Sequence, residues 1–86
     1  MRSQHIWTSR DEDGRKREVR VTKFGGHWKF QAKFRDEEEW TYFDVPLLDD
    51  LRELRDIIFR KYQRRRASAE DFEAVDKMMR DQTRDG

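Results

Sequence analysis

The clearest pattern in the chain is an alternation of apolar and polar residues on both sides of Gly25-Gly26. Residues 18–24 and residues 27–34 both alternate in this way. A Gly-Gly pair between two such segments predicts a β-hairpin with a type I′ turn, which needs positive φ at both central positions. The turn also sets the register, so that Val21 should lie opposite Phe30.

Facing residues of a hairpin lie on the same side of the sheet, so the register separates two faces. The inner face is predicted to be apolar and to carry Val19, Val21, Trp28, Phe30, Ala32 and Phe34. The outer face is predicted to carry Glu18, Arg20, Thr22, Lys29, Gln31 and Lys33. One face should therefore belong to the hydrophobic core and the other should face away from it.

Further strands are predicted before and after this hairpin. Residues 5–9 precede Asp13-Gly14, which is a turn signal, and residues 40–45 follow an acidic turn at residues 36–39. Pro46 should end the strands, because proline lacks a backbone donor. Residues 5–45 are thus predicted to form an antiparallel β-meander of three to four strands.

A helical period replaces the alternation after Pro46. Leucines at 47, 51 and 54 continue with Ile58 and Tyr62 into one apolar stripe, which predicts a helix over residues 47–66. Ser68 suits the N-cap of a second helix over residues 69–82, and the first few residues and residues 83–86 should fray.

These elements predict the α+β class, with the long first helix packed on the inner face of the sheet, because a lone meander cannot cover that face. The 86 residues are expected to form a single domain, since chains divide only at greater lengths.

The lengths of two turns decide where three aromatic side chains point. With an even number of residues in the acidic turn, Lys33 lies opposite Tyr42. Phe43 and Val45 then complete the core, and the side chains of Trp40 and Tyr42 point outward. An even turn around Asp13-Gly14 likewise places Ile6 inward and Trp7 outward, near Arg20. An odd turn or a bulge would reverse either assignment, because the side-chain period of a strand is two.

Composition narrows the function classes. Charged residues make up 45% of the chain, but 20 basic residues nearly balance 19 acidic ones, so a net charge of +1 creates no global field for nucleic acid or lipid. The chain has no cysteine and no apolar run long enough to span a membrane, which leads us to expect a cytoplasmic protein with no membrane partner. Its 11 aromatic residues favour a folded chain over a disordered one.

Catalysis is not expected. The two histidines, His5 and His27, stand in no metal-ligand spacing, and no nucleophile motif lies near them. Gly25-Gly26 is a hairpin turn that opens no helix, so it cannot cradle phosphates. We therefore expect a non-enzymatic protein without cofactor or metal.

A binding surface is the remaining candidate. With even turns the outer face would carry Trp7, Phe24, Trp40 and Tyr42 among basic residues, and such a face is too apolar to be merely solvated. Single-stranded nucleic acid is one occupant, with Trp7, Trp40 and Tyr42 stacking on bases and with phosphate contacts from Arg20, Lys29, Lys33, Arg35, Arg64, Arg65 and Arg66. The other occupants are the second helix, another protein, or a second copy of the chain in a homodimer.

Each basic cluster also has a simpler structural explanation. Cations at residues 60–66 complement the dipole of a helix C-terminus, and Asp56 can pair with Arg60. Residues 15–17 follow three acidic residues, so we expect local cancellation of charge there. The acidic turn is expected to be a solvated loop that repels nucleic acid.

The order of a meander followed by a helix, over residues 5–66, resembles the whirly and positive-cofactor types of single-stranded-DNA-binding module. The resemblance rests on element order and alternation and includes no family-specific motif. It implies a single-stranded nucleic acid as ligand of the sheet.

Overall fold

A computed structural model of the protein describes residues 2–84, and the side chains of residues 3–83. It contains a four-stranded antiparallel sheet followed by two helices, which confirms the α+β class. The chain divides into two compact units, Met1–Val45 and Pro46–Gly86. The packing of the first helix on the sheet and the single-domain organisation remain predictions.

The sheet is a meander in which each strand pairs with its sequence neighbour, in the order β1-β2-β3-β4. Its strands are β1 Arg2–Arg10, β2 Lys16–Phe24, β3 His27–Phe34 and β4 Thr41–Phe43. The predicted meander is confirmed, although β1 begins before residue 5 and β4 ends before Val45.

The central hairpin has the predicted register. Val21 lies opposite Phe30, and the same alignment brings Lys23 opposite Trp28. Gly25 and Gly26 have φ angles of 56° and 81°, the left-handed values that a type I′ turn requires and that glycine adopts without strain. Turn chemistry and apolar alternation therefore agree, and the inner face carries the buried residues Val19, Val21, Phe30 and Ala32.

The turn between β1 and β2 is longer than Asp13-Gly14 alone predicts. Arg10 pairs with Lys16, so residues 11–15 form the turn, and their number is odd. The carboxylate of Asp11 accepts hydrogen bonds from the backbone amides of Asp13 and Arg15, at 3.0 and 2.8 Å, and holds this longer loop in place.

This odd turn overturns the predicted orientation of β1. Trp7 pairs with Val19 and belongs to the inner face, whereas Ile6 pairs with Arg20 and belongs to the outer face, where its side chain is 51% exposed. Of the two alternatives, the structure has the odd turn, and the assignment of Trp7 to the outer face is overturned, because a change of one residue in a turn exchanges the two faces of a strand.

The turn between β3 and β4 has an even number of residues, but the two strands pair in a different register from the one considered above. Phe43 lies opposite Phe30, where Val45 was expected, and Gln31 lies opposite Tyr42. The loop covers residues 35–40, and the Glu37 carboxylate accepts a 2.9 Å hydrogen bond from the Phe34 amide. Val45 was wrongly assigned to the core: it follows β4 and is 69% exposed.

The second unit is a pair of helices, α1 Leu48–Gln63 and α2 Ala69–Arg84. Leu51, Leu54, Ile58 and Val75 are fully buried. The rings of Phe59 and Phe72 lie 5.6 Å apart, and Arg55 forms a 3.1 Å ion pair with Asp76, so both apolar and charged contacts join the helices.

The ends of the helices refine the predicted boundaries. The Ser68 hydroxyl accepts a 3.1 Å hydrogen bond from the Asp71 amide, which confirms the predicted N-cap of α2. Leu47 precedes α1 as its N-cap and is largely exposed, so it does not begin the buried stripe. α2 continues to Arg84, beyond the predicted end; of the termini expected to fray, Met1, Asp85 and Gly86 lie outside the described residues.

Residues 64–66 lie beyond α1, which ends at Gln63 and not at residue 66 as predicted. Arg65 adopts a left-handed φ of 60°, and the amides of Arg65 and Arg66 donate to the carbonyls of Tyr62 and Lys61 at 2.9 and 2.6 Å. This pair of bonds is the Schellman arrangement that closes many helices, with arginine in the place usually taken by glycine.

Candidate functional site

The outer face of the sheet has a strong excess of positive charge. Among the strand residues whose side chains are described, it carries five cations, Arg10, Lys16, Arg20, Lys29 and Lys33, and one acid, Glu18. The chain as a whole is nearly neutral, so any attraction for polyanions must come from local clusters of cations. The outer face is such a cluster.

Two aromatic rings lie among these cations. The Arg20 guanidinium carbon is 4.6 Å from the centre of the Trp40 ring, and the Lys33 ammonium nitrogen is 5.6 Å from the same ring. The Lys29 ammonium nitrogen is 4.9 Å from the centre of the Tyr42 ring. These are cation–π distances, so each ring is held in place by a basic side chain from a neighbouring strand.

The strand pairing explains why these side chains meet. Tyr42 lies opposite Gln31, and Gln31 lies opposite Arg20, so one row of the outer face crosses β4, β3 and β2. The row continues to Ile6 on β1. Tyr42 at its β4 end is 58% exposed, and Ile6 at its β1 end is about equally exposed, so both apolar ends of this polar row are accessible.

A groove adjoins this row toward the β1–β2 turn. It is lined by Thr8, Lys16, Arg17, Glu18, Lys33 and Arg35, and a neighbouring hollow shares Lys16 and Arg35. In the part of the chain that the structure describes, neither Lys16 nor Arg35 forms an ion pair. We call this surface the basic groove.

The expected cancellation of charge in the Arg15-Lys16-Arg17 cluster stays a prediction. The Asp11 carboxylate accepts hydrogen bonds from the backbone amides of Asp13 and Arg15. Arg15 forms a 3.2 Å ion pair with Asp36 of the acidic turn. Lys16 is exposed and keeps its charge available at the surface.

The acidic turn is partly neutralised by the same contacts. Asp36 is paired with Arg15, and the Glu37 carboxylate is bound to the Phe34 amide. Glu38 and Glu39 are exposed before Trp40. Asp36 is thus offset by a cation, whereas the carboxylates of Glu37, Glu38 and Glu39 would repel an anionic ligand at this end of the sheet.

The structure brings together part of the predicted site. Arg20, Lys29, Lys33, Trp40 and Tyr42 share the outer face, and Arg35 lines the basic groove beside Lys33. Trp7 lies on the inner face and its indole Nε1 is buried without a hydrogen-bond partner, so it cannot stack on a ligand of the outer face. Arg64, Arg65 and Arg66 belong to the second unit.

Sequence reasoning missed three residues of this surface. Ile6 and Arg10 reach the outer face only because the β1–β2 turn is odd, and Lys16 was discounted with its neighbours. The signal that could have found them is Asp11, since an aspartate at the start of a loop often accepts hydrogen bonds from amides two or more residues later and favours a longer turn.

The described residues form neither a metal-binding cluster nor a helix that could span a membrane. Residues 2–84 contain no group of three or more histidine, aspartate or glutamate side chains arranged to hold a metal ion. Neither helix, over the same residues, is long and apolar enough to cross a membrane.

Comparison with known proteins assigns no family. No family model, no curated protein and no solved structure matches the chain. The resemblance in element order to single-stranded-DNA-binding modules gains no support from these comparisons, and the functional case depends on the geometry of the outer face.

Proposed function

We propose that the protein is a non-enzymatic module whose outer face binds single-stranded nucleic acid. The observation that carries the proposal is the placement of Trp40 and Tyr42 on one exposed sheet face, with the cations of Arg20, Lys29 and Lys33 against their rings. Flat aromatic surfaces beside basic side chains are what an unpaired, negatively charged strand needs.

Each ring offers a surface on which a base can stack, and a base–aromatic stack contributes about 1–3 kcal/mol. Tyr42 is more accessible than the half-buried Trp40, so it is the first stacking position. Lys29 is exposed and can move from the ring to a phosphate, because a lysine stem is flexible and its charge is not committed to one geometry.

The basic groove supplies the phosphate contacts that the rings cannot. Lys33 contacts the Trp40 ring and also lines the groove, so it links a stacked base to the adjoining phosphate. Lys16 and Arg35 add two charges that have no ion-pair partner among the described side chains of residues 3–83, and each neutralised phosphate releases counterions. Arg64, Arg65 and Arg66 are proposed as further phosphate contacts on the ground of their charge alone.

A titration of a fluorescently labelled single-stranded oligonucleotide tests the proposal, with fluorescence anisotropy measured at several salt concentrations. We expect binding at low salt that weakens steeply as salt rises, and quenching of tryptophan fluorescence in the same titration. A duplex of the same sequence should bind more weakly, because its bases cannot reach the rings. The absence of binding at low salt would refute the proposal.

A second candidate is a protein-interaction surface formed by the same face. The exposed apolar side chains of Ile6, Tyr42 and Phe24 favour it, because apolar residues that remain exposed among polar ones often mark interfaces. In that case a partner protein or a second copy buries the aromatic residues, and the charges form the rim. Trp40→Ala should then weaken self-association in analytical ultracentrifugation while oligonucleotides fail to bind.

A further inference from the structure

The outer edge of β1 is open to pairing. β1 hydrogen-bonds to β2 along one side, and it is the first strand in the sheet order, so among the described residues no strand pairs with its other side. An edge of this kind presents unpaired backbone donors and acceptors.

The sequence of β1 lacks the usual protection of such an edge. The strand has nine residues, and those between Arg2 and Arg10 include no charged side chain and no proline. Edge strands that must stay unpaired are commonly short, or carry lysine, proline or a bulge. The long uncharged edge therefore favours strand addition.

β1 also has a symmetric distribution of side-chain types about Ile6. Serines lie three residues away on both sides, small polar residues two residues away, and aromatic residues one residue away: Ser3 and Ser9, Gln4 and Thr8, His5 and Trp7. An antiparallel pairing centred on Ile6 would place each residue from Ser3 to Ser9 opposite one of the same type. Every contact would then occur twice, as it does in any two-fold symmetric interface.

We propose that two copies of the chain associate through antiparallel pairing of their β1 strands, centred on Ile6. The two four-stranded sheets would then form one continuous sheet of eight strands. Ile6 from each copy would meet on the outer face, where its side chain is 51% exposed and lies opposite Arg20 of β2. The proposal concerns the strand edge and does not depend on nucleic-acid binding.

Sedimentation equilibrium of the full chain, without nucleic acid, tests this dimer. Over protein concentrations from roughly 10 µM to 1 mM, the range suited to a small interface, the mass should rise from 10.7 kDa toward twice that value. A wild-type protein that remains monomeric throughout would overturn the proposal.

The variant that distinguishes this edge from other interfaces is Ile6→Lys. It places two lysines opposite each other at the symmetry axis, and we expect dimerisation to weaken by about tenfold. Because Ile6 is exposed, the fold should be retained, which circular dichroism verifies.

Phe24→Lys is the matched control. Phe24 is also exposed on the outer face, but it lies on β2, away from the β1 edge. It should leave the dimer intact. Equal loss of dimer in both variants would show that the copies meet face to face, and would contradict pairing through β1.

Discussion

Both faces of the sheet carry a contact between a lysine and a tryptophan, but the residues around that contact are buried on the inner face and exposed on the outer face. On both faces a lysine lies against a tryptophan ring, Lys23 over Trp28 at 5.5 Å and Lys33 over Trp40 at 5.6 Å. Trp28 shares its face with the buried residues of the core, whereas Trp40 shares its face with the exposed Tyr42. The cation–aromatic contact alone therefore does not mark a site, and the accessible surface around it does.

Because the two faces differ in burial, substitutions on them should change different quantities: the free energy of unfolding on the inner face and the affinity for a ligand on the outer face. Replacement of an inner-face side chain removes core contacts and should lower the free energy of unfolding. Replacement of an exposed outer-face side chain should leave that quantity nearly unchanged and, if the proposed function is right, should lower affinity. Three pairs of matched substitutions test this separation.

The largest effect is expected for the two phenylalanines. Phe30 on the inner face is 3% exposed, and Phe30→Ala should lower the free energy of unfolding by about 3–5 kcal/mol because it leaves a cavity. Phe24 on the outer face is 65% exposed, and Phe24→Ala should change it by less than about 0.5 kcal/mol. Urea denaturation followed by circular dichroism measures both, and similar losses would contradict the assignment of faces.

The tryptophan pair gives the next largest effect, on affinity. Trp40→Ala should weaken oligonucleotide binding by about 1–3 kcal/mol, because one stacking position is lost. Trp28→Ala should leave the affinity of the folded protein unchanged, since Trp28 lies on the inner face. Anisotropy titrations at fixed salt provide the comparison. Equal losses from the two variants would contradict a specific stacking role for Trp40.

The lysine pair gives the smallest effect, which appears in the salt dependence. Lys33→Gln should reduce the slope of log affinity against log salt by about 0.7, the value for one phosphate contact on a single strand. Lys23→Gln should leave the slope unchanged, because Lys23 lies on the inner face against Trp28. Titrations at four or more salt concentrations measure both slopes. A slope that is unaffected by Lys33→Gln would remove Lys33 from the phosphate contacts.

The sequence predicted those parts of the sheet where two signals agree. At the central hairpin, Gly25-Gly26 and the apolar alternation require the same register, and the structure has it. Trp40 and Tyr42 lie on the outer face, as the alternative with an even turn requires, although the strand is shifted by two residues. Parity was therefore more predictable than register.

Prediction failed where a turn depends on side-chain hydrogen bonds. The Asp13-Gly14 signal indicates a short even turn, but the Asp11 carboxylate binds two backbone amides and stabilises a loop of odd length. Alternation in β1 could not correct the error, because Ile6 and Trp7 are both apolar and either one suits the inner face. This turn places Trp7 on the inner face and so removes it from the candidate site.

The strand order has a consequence for how the sheet forms. Each strand pairs with the strand next to it in sequence, and the longest connection within the sheet is the loop at residues 35–40. Closing such short connections costs little chain entropy, and structures built from local pairings have low contact order and fold quickly. The hairpins can zip together one after another from the Gly25-Gly26 turn, so the sheet need not search for distant partners along the chain.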